Sequence, residues 1–424
     1  MAKLRDKIGP VIFVGGDVLA KAIPFGALPF ITSSVSVKDF GVYSLFLVIS
    51  SISYFLVGLS SQQSLSVLYF RESERWAVYA SSVNVFWALA CLFAMIPMAA
   101  LALMFGPDHV VIASVIAFFV CGYSNLAFQI ITIWYQVNRL VFHYAGWQIF
   151  RSAITAGGLL LYVFSAHSPS GIGLAYSFIG ANVIIIFAAL LWLAKAHFFK
   201  LELFSLSALK KISRESFSLT LNYISGWLRA GFDRVLLANF STLAAVGTYA
   251  LGFQLGSILG VIGTSVARVA SVSLLSNLKT ELDKATHEKH LWPVIKHATP
   301  YVGVLVLCYL ALVGAAFLGF PLFFPAEYIG SQVITVLIGG AFLLQGIAAM
   351  LSPIVQFFEK TRIIGFLAIG LSLFSCVFAT LGIYFFGELG AAWSFLAVWV
   401  VHCAFLCMYS AKELQRKRTD SKIV

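Results

Sequence analysis

Seven charged residues lie inside long apolar stretches of this chain: Asp17, Lys21, Arg151, Arg229, Asp233, Arg234 and Arg268. Five are basic and two acidic, a surplus of three positive charges. The Arg guanidinium is a planar fork of donors that grips phosphate oxygens in pairs. Cations in an apolar setting therefore point to the binding of an anionic group, with Arg151, Arg229 and Arg268 as the first candidates and Lys21 as the next. A carboxylate in the same setting serves proton or cation exchange. Asp17 and Asp233 are the two so placed, and they are the candidates for coupling to H+ or Na+.

Spacing groups these residues with neutral polar ones. Asn222, Gly226, Arg229 and Asp233 fall at i, i+4, i+7 and i+11, one face of a helix. Gln254, Ser257, Ser265 and Arg268 repeat the pattern beside a Gly252, Gly256, Gly260 stripe suited to close helix packing. Asn125, Gln129, Thr132 and Gln136 form a third stripe, and Gln148, Arg151 and Thr155 a fourth. Asn125, Gln129, Gln148, Asn222 and Gln254 are thus the expected polar lining of a common interior. Structural readings stand beside these. Asp17 with Lys21, and Arg229 with Asp233, are each four apart and suit intrahelical ion pairs. Arg234 lies nearer the outer end of its span, where snorkelling to the headgroups is the favoured reading. Arg268 has the same option at the inner side, and Arg151 is as well placed for a structural as for a substrate contact.

Other chemistries lack their residues. His287, Glu288 and His290 read HEKH, without the i, i+4 histidine spacing of a metalloprotease helix. His402 stands alone and reads as packed or pore-side. The sequence contains no GxxxxGK[ST] phosphate loop, so ATP hydrolysis is not expected. The six cysteines lie in apolar segments without paired spacing and read as small buried hydrophobes. No cofactor or metal is expected, and the chain does not read as an enzyme.

The elements that hold these residues are membrane helices. Of the 424 residues 60% are apolar and 11% charged, with a mean hydropathy of +0.94, against about half and a quarter in a soluble domain. A crossing needs about 20 apolar residues, which gives about twelve spans: 8–32, 40–62, 78–104, 109–134, 144–166, 171–196, 216–239, 244–275, 294–320, 329–357, 361–386 and 389–411. The apolar runs are continuous, which excludes a barrel of short alternating strands. The expected fold is an all-α polytopic membrane protein. Its first span, with Asp17 and Lys21, is too long and too charged for a signal peptide and reads as an uncleaved helix.

Orientation follows from Lys and Arg. Of the 28, 22 lie in segments on one side and Lys38 alone on the other, which places both termini in the cytoplasm. The net charge of +11 is then a topology signal; no basic patch with interleaved aromatics suggests nucleic acid. The outer loops, 105–108, 167–170, 240–243, 321–328 and 387–388, are short. They leave little room for the outer-face site of a glycan polymerase or glycosyltransferase, the reading from another class.

The charged connection 197–215 divides the spans six and six, into 1–196 and 216–411, with a basic tail at 412–424. FGVYSL (Phe40 to Leu45) returns as VGTYAL (Val246 to Leu251), so that Gly41, Tyr43 and Leu45 recur as Gly247, Tyr249 and Leu251. Duplicated six-helix halves would share one topology about an axis along the membrane normal, with a central cavity between them.

The segments PFGALPFITSSVSVKDFGVYSLFLVISSIS and DRVLLANFSTLAAVGTYALGFQLGSILGV resemble the two repeat signatures of polysaccharide flippases, the Wzx-type repeat-unit transporters of the MOP exporter superfamily. That superfamily also holds MATE drug exporters and the lipid II flippase. The resemblance implies a MATE-like fold in a bacterial cytoplasmic (inner) membrane. It further implies movement of an undecaprenyl-diphosphate-linked oligosaccharide to the periplasmic leaflet by alternating access, with membrane lipids, a polysaccharide polymerase and a chain-length regulator as partners. A MATE-type small-molecule or cation antiporter is the nearest alternative, disfavoured by the net basic interior.

Overall fold

Apolar runs of this length satisfy their backbone groups within lipid only as helices, and every described element of the computed structural model is helical. The structure describes the backbone of residues 2–104, 109–283, 291–357 and 361–420, and side chains within 15–98, 111–275, 297–355 and 367–412. The outer loop at 105–108 and the HEKH run with His287, Glu288 and His290 lie outside the described residues, as do the side chains of the basic tail beyond Lys412.

The helices are α1 (Ala2–Ser34), α2 (Val37–Leu56), α3 (Ser61–Arg71), α4 (Trp76–Met104), α5 (His109–Val137), α6 (Val141–Ser165) and α7 (Gly171–Lys195). They continue as α8 (Leu206–Ala230), α9 (Phe232–Phe240), α10 (Leu243–Asp283), α11 (Leu291–Gly314), α12 (Phe320–Phe323), α13 (Ser331–Phe357) and α14 (Thr361–Asp420). Among the described residues eight helical stretches are long and apolar enough to cross a membrane. They cover the expected spans apart from 8–32, 144–166 and 216–239. Those three correspond to α1, α6 and α8 with α9, which carry Asp17, Lys21, Arg151, Arg229 and Asp233. Their polar residues dilute the apolar run.

The chain forms two compact units, Met1–Trp227 and Leu228–Val424. In the first, α1 packs along α6, α5 packs on α2, α4 and α7, and α6 on α7. A Cβ on Gly16 would lie 2.6 Å from that of Ala145, so α1 and α6 nearly touch backbone to backbone. The segment 197–215, read from sequence as a connection, is part of this unit's core. Phe198, Ala208, Leu209 and Ile212 are buried with Trp76, Leu65 and Ile130. The Phe198 ring meets Trp76 and Trp134 edge-on at 4.8 Å.

Where α3 gives way to α4, Tyr79 and Lys211 both donate hydrogen bonds to Glu72, and Lys211 also reaches the Tyr79 hydroxyl at 3.2 Å. The Lys211 hydrogen bond, then that of Tyr79, holds the Glu72 carboxyl below the usual carboxylate range. Lys211 is raised in turn, chiefly by Glu72.

In the second unit, α10 packs along α13, α13 on α14, and α14 on α9. The glycine stripe read from the sequence makes the first of these contacts. Cβ atoms on Gly252, Gly256 and Gly260 would fall 2.6, 2.8 and 2.6 Å from the side chains of Ile334, Ile338 and Phe342. α14 is two antiparallel segments that reverse at Gly387, whose φ of 57° and ψ of −135° suit glycine. Ser394 on the return segment donates to the Phe378 carbonyl at 2.8 Å. The apolar part of α10, Leu243–Leu275, matches the expected span 244–275, and the helix itself runs on to Asp283. Cys407 is exposed, whereas Cys91, Cys121 and Cys403 are buried as expected.

Candidate functional site

In the first unit the candidates gather on one face of α6, where Tyr144, Gln148, Arg151 and Thr155 follow at spacings of four, three and four. Arg151 donates from Nη1 to Oδ1 of Asn125 on α5 at 3.1 Å. Its guanidinium carbon lies 4.6 Å from the centre of the Phe128 ring and 5.6 Å from that of Tyr54. Amide and aromatic faces stabilise the cation without neutralising it, and among the described residues no carboxylate forms an ion pair with Arg151. Gln129 lies one turn along α5 from Asn125, and the Thr132 hydroxyl donates to its backbone carbonyl at 3.0 Å and to its Oε1 at 3.4 Å.

The same face reaches α1. Tyr144 donates to Oδ1 of Asp17 at 3.0 Å, and Gln148 donates to the Tyr144 hydroxyl at 3.0 Å. The half-buried Asp17 carboxylate thus ends a chain of hydrogen bonds that starts one turn from Arg151. The expected pair of Asp17 with Lys21 is not formed. Lys21 is exposed, and the close α1–α6 approach brings the tyrosine hydroxyl to the carboxylate instead. Asn222 is exposed on α8.

In the second unit the stripe expected to run unbroken through Arg229 to Asp233 is interrupted. α8 ends at Ala230, Gly231 takes φ −134° and ψ −31°, and α9 begins at Phe232. A glycine inside an apparently regular pattern has little to hold it helical. Beyond the break Asp233 is buried. Its Oδ1 accepts the Arg234 backbone N–H at 2.7 Å, and its Oδ2 accepts the hydroxyl of Tyr249, the tyrosine of the second repeat motif. Arg234 does not snorkel. It is 9% exposed, with its guanidinium carbon 4.2 Å from the centre of the Phe253 ring and Nη1 donating to the Ala230 carbonyl at 3.3 Å. Gly231 turns it inward, which spacing on a continuous helix did not anticipate.

Arg229 and Asp233 border a narrow crevice with Ser375 and Cys376 of the first α14 segment and Phe395 of the second. The Arg229 guanidinium carbon stands 5.6 Å from the centre of the Trp399 ring, and Trp399 stacks on His402 at 5.1 Å with 19° between the planes. Gln254 is half-buried and Arg268 exposed, both on α10. The site candidates of both units thus include an arginine against aromatic rings, Arg151 in the first and Arg229 in the second, and a carboxylate under a tyrosine hydroxyl, Asp17 and Asp233. Among the described residues no group of three His, Cys, Asp or Glu side chains is placed to hold a metal. Trp399, Tyr54 and Tyr144 are not marked by any charge or spacing in the sequence, and Arg234 is marked as a charge but not as a buried one. Tyr249 has a signal in the repeat motif.

A family model described as "Polysaccharide biosynthesis protein" matches residues 10–278. No curated protein matches the sequence. Among solved structures the fold is similar to that of the lipid II flippase MurJ in an inward closed conformation. The two share 15% identity over 99% of this chain and 90% of the other, with a TM-score of 0.64. It is similar also to an inward-facing multidrug resistance MATE transporter of the MOP superfamily, at 12% identity over 94% and 96% and a TM-score of 0.65. A eukaryotic MATE transporter, AtDTX14, matches over 99% of both chains at 14% identity and a TM-score of 0.55.

Proposed function

The chain belongs to the polysaccharide biosynthesis protein family, and from that premise we propose that it is a flippase for an undecaprenyl-diphosphate-linked oligosaccharide. In this reading it sits in a bacterial inner membrane with both termini cytoplasmic. It carries the glycan headgroup to the periplasmic leaflet by alternating access along a cationic path. The polyprenyl tail stays in lipid, so the protein has to stabilise only the anionic, hydrated head.

The observation that carries the proposal is Arg151. A cation at the centre of an apolar helix costs about 2.5–3.5 kcal/mol on insertion scales, and here a neutral amide and two aromatic rings hold it with its charge intact. That arrangement suits a transient phosphate, whose oxygens take guanidinium donors not used by Asn125. Arg229 plays the corresponding part in the second unit. Lys21 and Arg268, both exposed, serve as outlying contacts, and Asn125, Gln129, Gln148, Asn222 and Gln254 meet sugar hydroxyls.

Asp17 takes the coupling role for H+ or Na+, because its carboxylate is half-buried and joined through Tyr144 and Gln148 to the face that bears Arg151. Asp233 is enclosed under Tyr249 and beside Arg234, and holds the broken helix. A polymerase and a chain-length regulator acting on the same glycan would be the partners.

The test is a deletion strain that has lost its surface glycan. Wild-type protein should restore the glycan. Arg151→Ala at equal protein level should lower export at least about tenfold, the loss of one charge-assisted contact, and Arg151→Lys should restore part of it. Full restoration by Arg151→Ala would overturn the proposal. Loss of drug resistance on deletion, with the glycan intact, would assign a small-molecule exporter in its place.

A further inference from the structure

His402 stands alone in the last apolar stretch of the sequence, and its surroundings give it a use. It lies on the second segment of α14, three residues after Trp399, and the two rings stack at 5.1 Å. Trp399 is 8% exposed, and the Arg229 guanidinium carbon lies 5.6 Å from its ring centre. The indole Nε1 of Trp399 and Nδ1 of His402 are both buried, and neither has a hydrogen-bond partner. A buried polar nitrogen without a partner is costly, so two in one stacked pair mark a place where something else completes the bonding.

The chemistry of the three groups selects what that is. Arg and Trp side chains only donate, and the histidine Nδ1 donates in one neutral tautomer and in the charged form. Asp233, the neighbouring carboxylate, already accepts from Tyr249 and from the Arg234 backbone. A guanidinium and an indole N–H that only donate, beside an imidazole nitrogen that donates in the Nδ1–H tautomer, match an acceptor-only, anionic group. We propose that Arg229, Trp399 and His402 form a phosphoryl subsite in the second unit, with the indole N–H and His402 Nδ1 donating to oxygens of a lipid-borne phosphate. The subsite rests on the flippase reading for its substrate, and adds two residues to it: Trp399 as a donor held in place by stacking, and His402 as the second donor.

The substitutions that isolate the donors keep the rings: Trp399→Phe removes the N–H and His402→Phe removes both nitrogens, and each retains an aromatic stack. Purified full-length protein in nanodiscs would be titrated with undecaprenyl diphosphate, with phosphatidylglycerol, and with inorganic pyrophosphate as competitor. Gel-filtration profile and melting temperature would verify folding, and Trp399→Leu or His402→Leu, which likewise lack the donor, would replace the corresponding phenylalanine variant if it fails to fold. Each donor variant is expected to weaken undecaprenyl diphosphate about tenfold, the loss of one hydrogen bond to a charged group, and pyrophosphate should compete in wild-type protein.

Equal weakening confined to phosphatidylglycerol keeps the phosphoryl subsite and assigns it to bulk lipid. Wild-type binding of undecaprenyl diphosphate that all folded donor variants retain, while Arg151→Ala weakens it, overturns the subsite and leaves the flippase reading standing. Wild-type protein that binds none of the probes overturns both.

Discussion

Asp17 and Asp233 look alike in sequence, each a lone carboxylate near a cation four residues away, and the folded chain separates them. Asp17 is half-buried and receives one hydrogen bond from Tyr144. Asp233 is buried and receives two, from Tyr249 and from the Arg234 backbone. The expected outcome of Asp17→Asn is a folded protein whose export no longer responds to an imposed ion gradient, read as glycan-lipid movement in vesicles with and without the gradient. Asp233→Asn is expected to act on stability instead, lowering the melting temperature of purified protein, because a carboxamide keeps one acceptor where the carboxylate uses two. Gradient-dependent export at wild-type rate by Asp17→Asn would remove it from the coupling role. The types of residue that matter were legible because a charge in an apolar run stands out without any structure. Their partners were not. Tyr144 is 127 positions from Asp17 and Arg151 is 26 from Asn125, and nothing in periodicity along one helix encodes a contact across two. Arg234 shows the limit most clearly, since a single glycine at 231 turns it from a lipid-facing position to the face of Phe253.

Two elements make predictions of their own, one within each unit. The α10 glycines were legible as a packing stripe because a repeat of four places them on one helical face, and the structure seats them against Ile334, Ile338 and Phe342. Gly256→Ala puts a methyl group 2.8 Å from Ile338 Cγ2 and 3.0 Å from the Gly339 backbone nitrogen. It should destabilise by about 1–3 kcal/mol through overpacking, offset in part by about 1 kcal/mol of helix propensity. Gly303→Ala, where an added Cβ meets nothing within 4 Å, should keep the propensity gain alone, so melting temperatures should move in opposite directions. In the first unit the charges of the segment 197–215 mark it in the sequence as a cytoplasmic connection between the two sets of spans. Phe198, Leu209 and Ile212 alternate with those charges and are buried, and Lys211 reaches back to Glu72. The Glu72 carboxyl is held below its unfolded value of about 4.3, so its contribution is full above that value and is lost as pH falls through the depressed one. Lys211 is held above its unfolded value of about 10.4, so its contribution is full below that and is lost as pH rises through the elevated one. Between those limits the contact is insensitive to pH. Protease cleavage of the 197–205 segment should therefore be faster in Glu72→Gln than in wild type at neutral pH, and the two rates should converge in acid. Equal rates at neutral pH would show that the buried aromatics alone hold the segment.

At the scale of the whole chain, composition read well what is additive and poorly what is not. Apolar surplus and continuous runs imply membrane helices, and the helices are present; where the runs thin, at α1, α6 and α8 with α9, the chain carries the charged residues of the candidate site except Arg268 on α10. A helix dedicated to polar chemistry is for that reason the one that scores least like a membrane span. The reversal at Gly387 inside α14 separates two apolar stretches that composition already places on either side of residues 387–388. Topology is the remaining additive property, and it makes a prediction that does not depend on the substrate. With 22 basic residues assigned to one side and Lys38 to the other, and with each Lys or Arg near the cytoplasmic leaflet favoured by about 1 kcal/mol, the inverted orientation is strongly disfavoured. In a background with the six native cysteines replaced, Lys38→Cys should react with a membrane-impermeant maleimide added to intact cells, since residue 38 is exposed at the start of α2. Lys210→Cys, exposed on α8, should react only after the membrane is opened. The opposite pattern would place the basic segments outside, reverse the direction in which the cationic path is loaded, and require a flippase reading with the substrate taken from the outer leaflet.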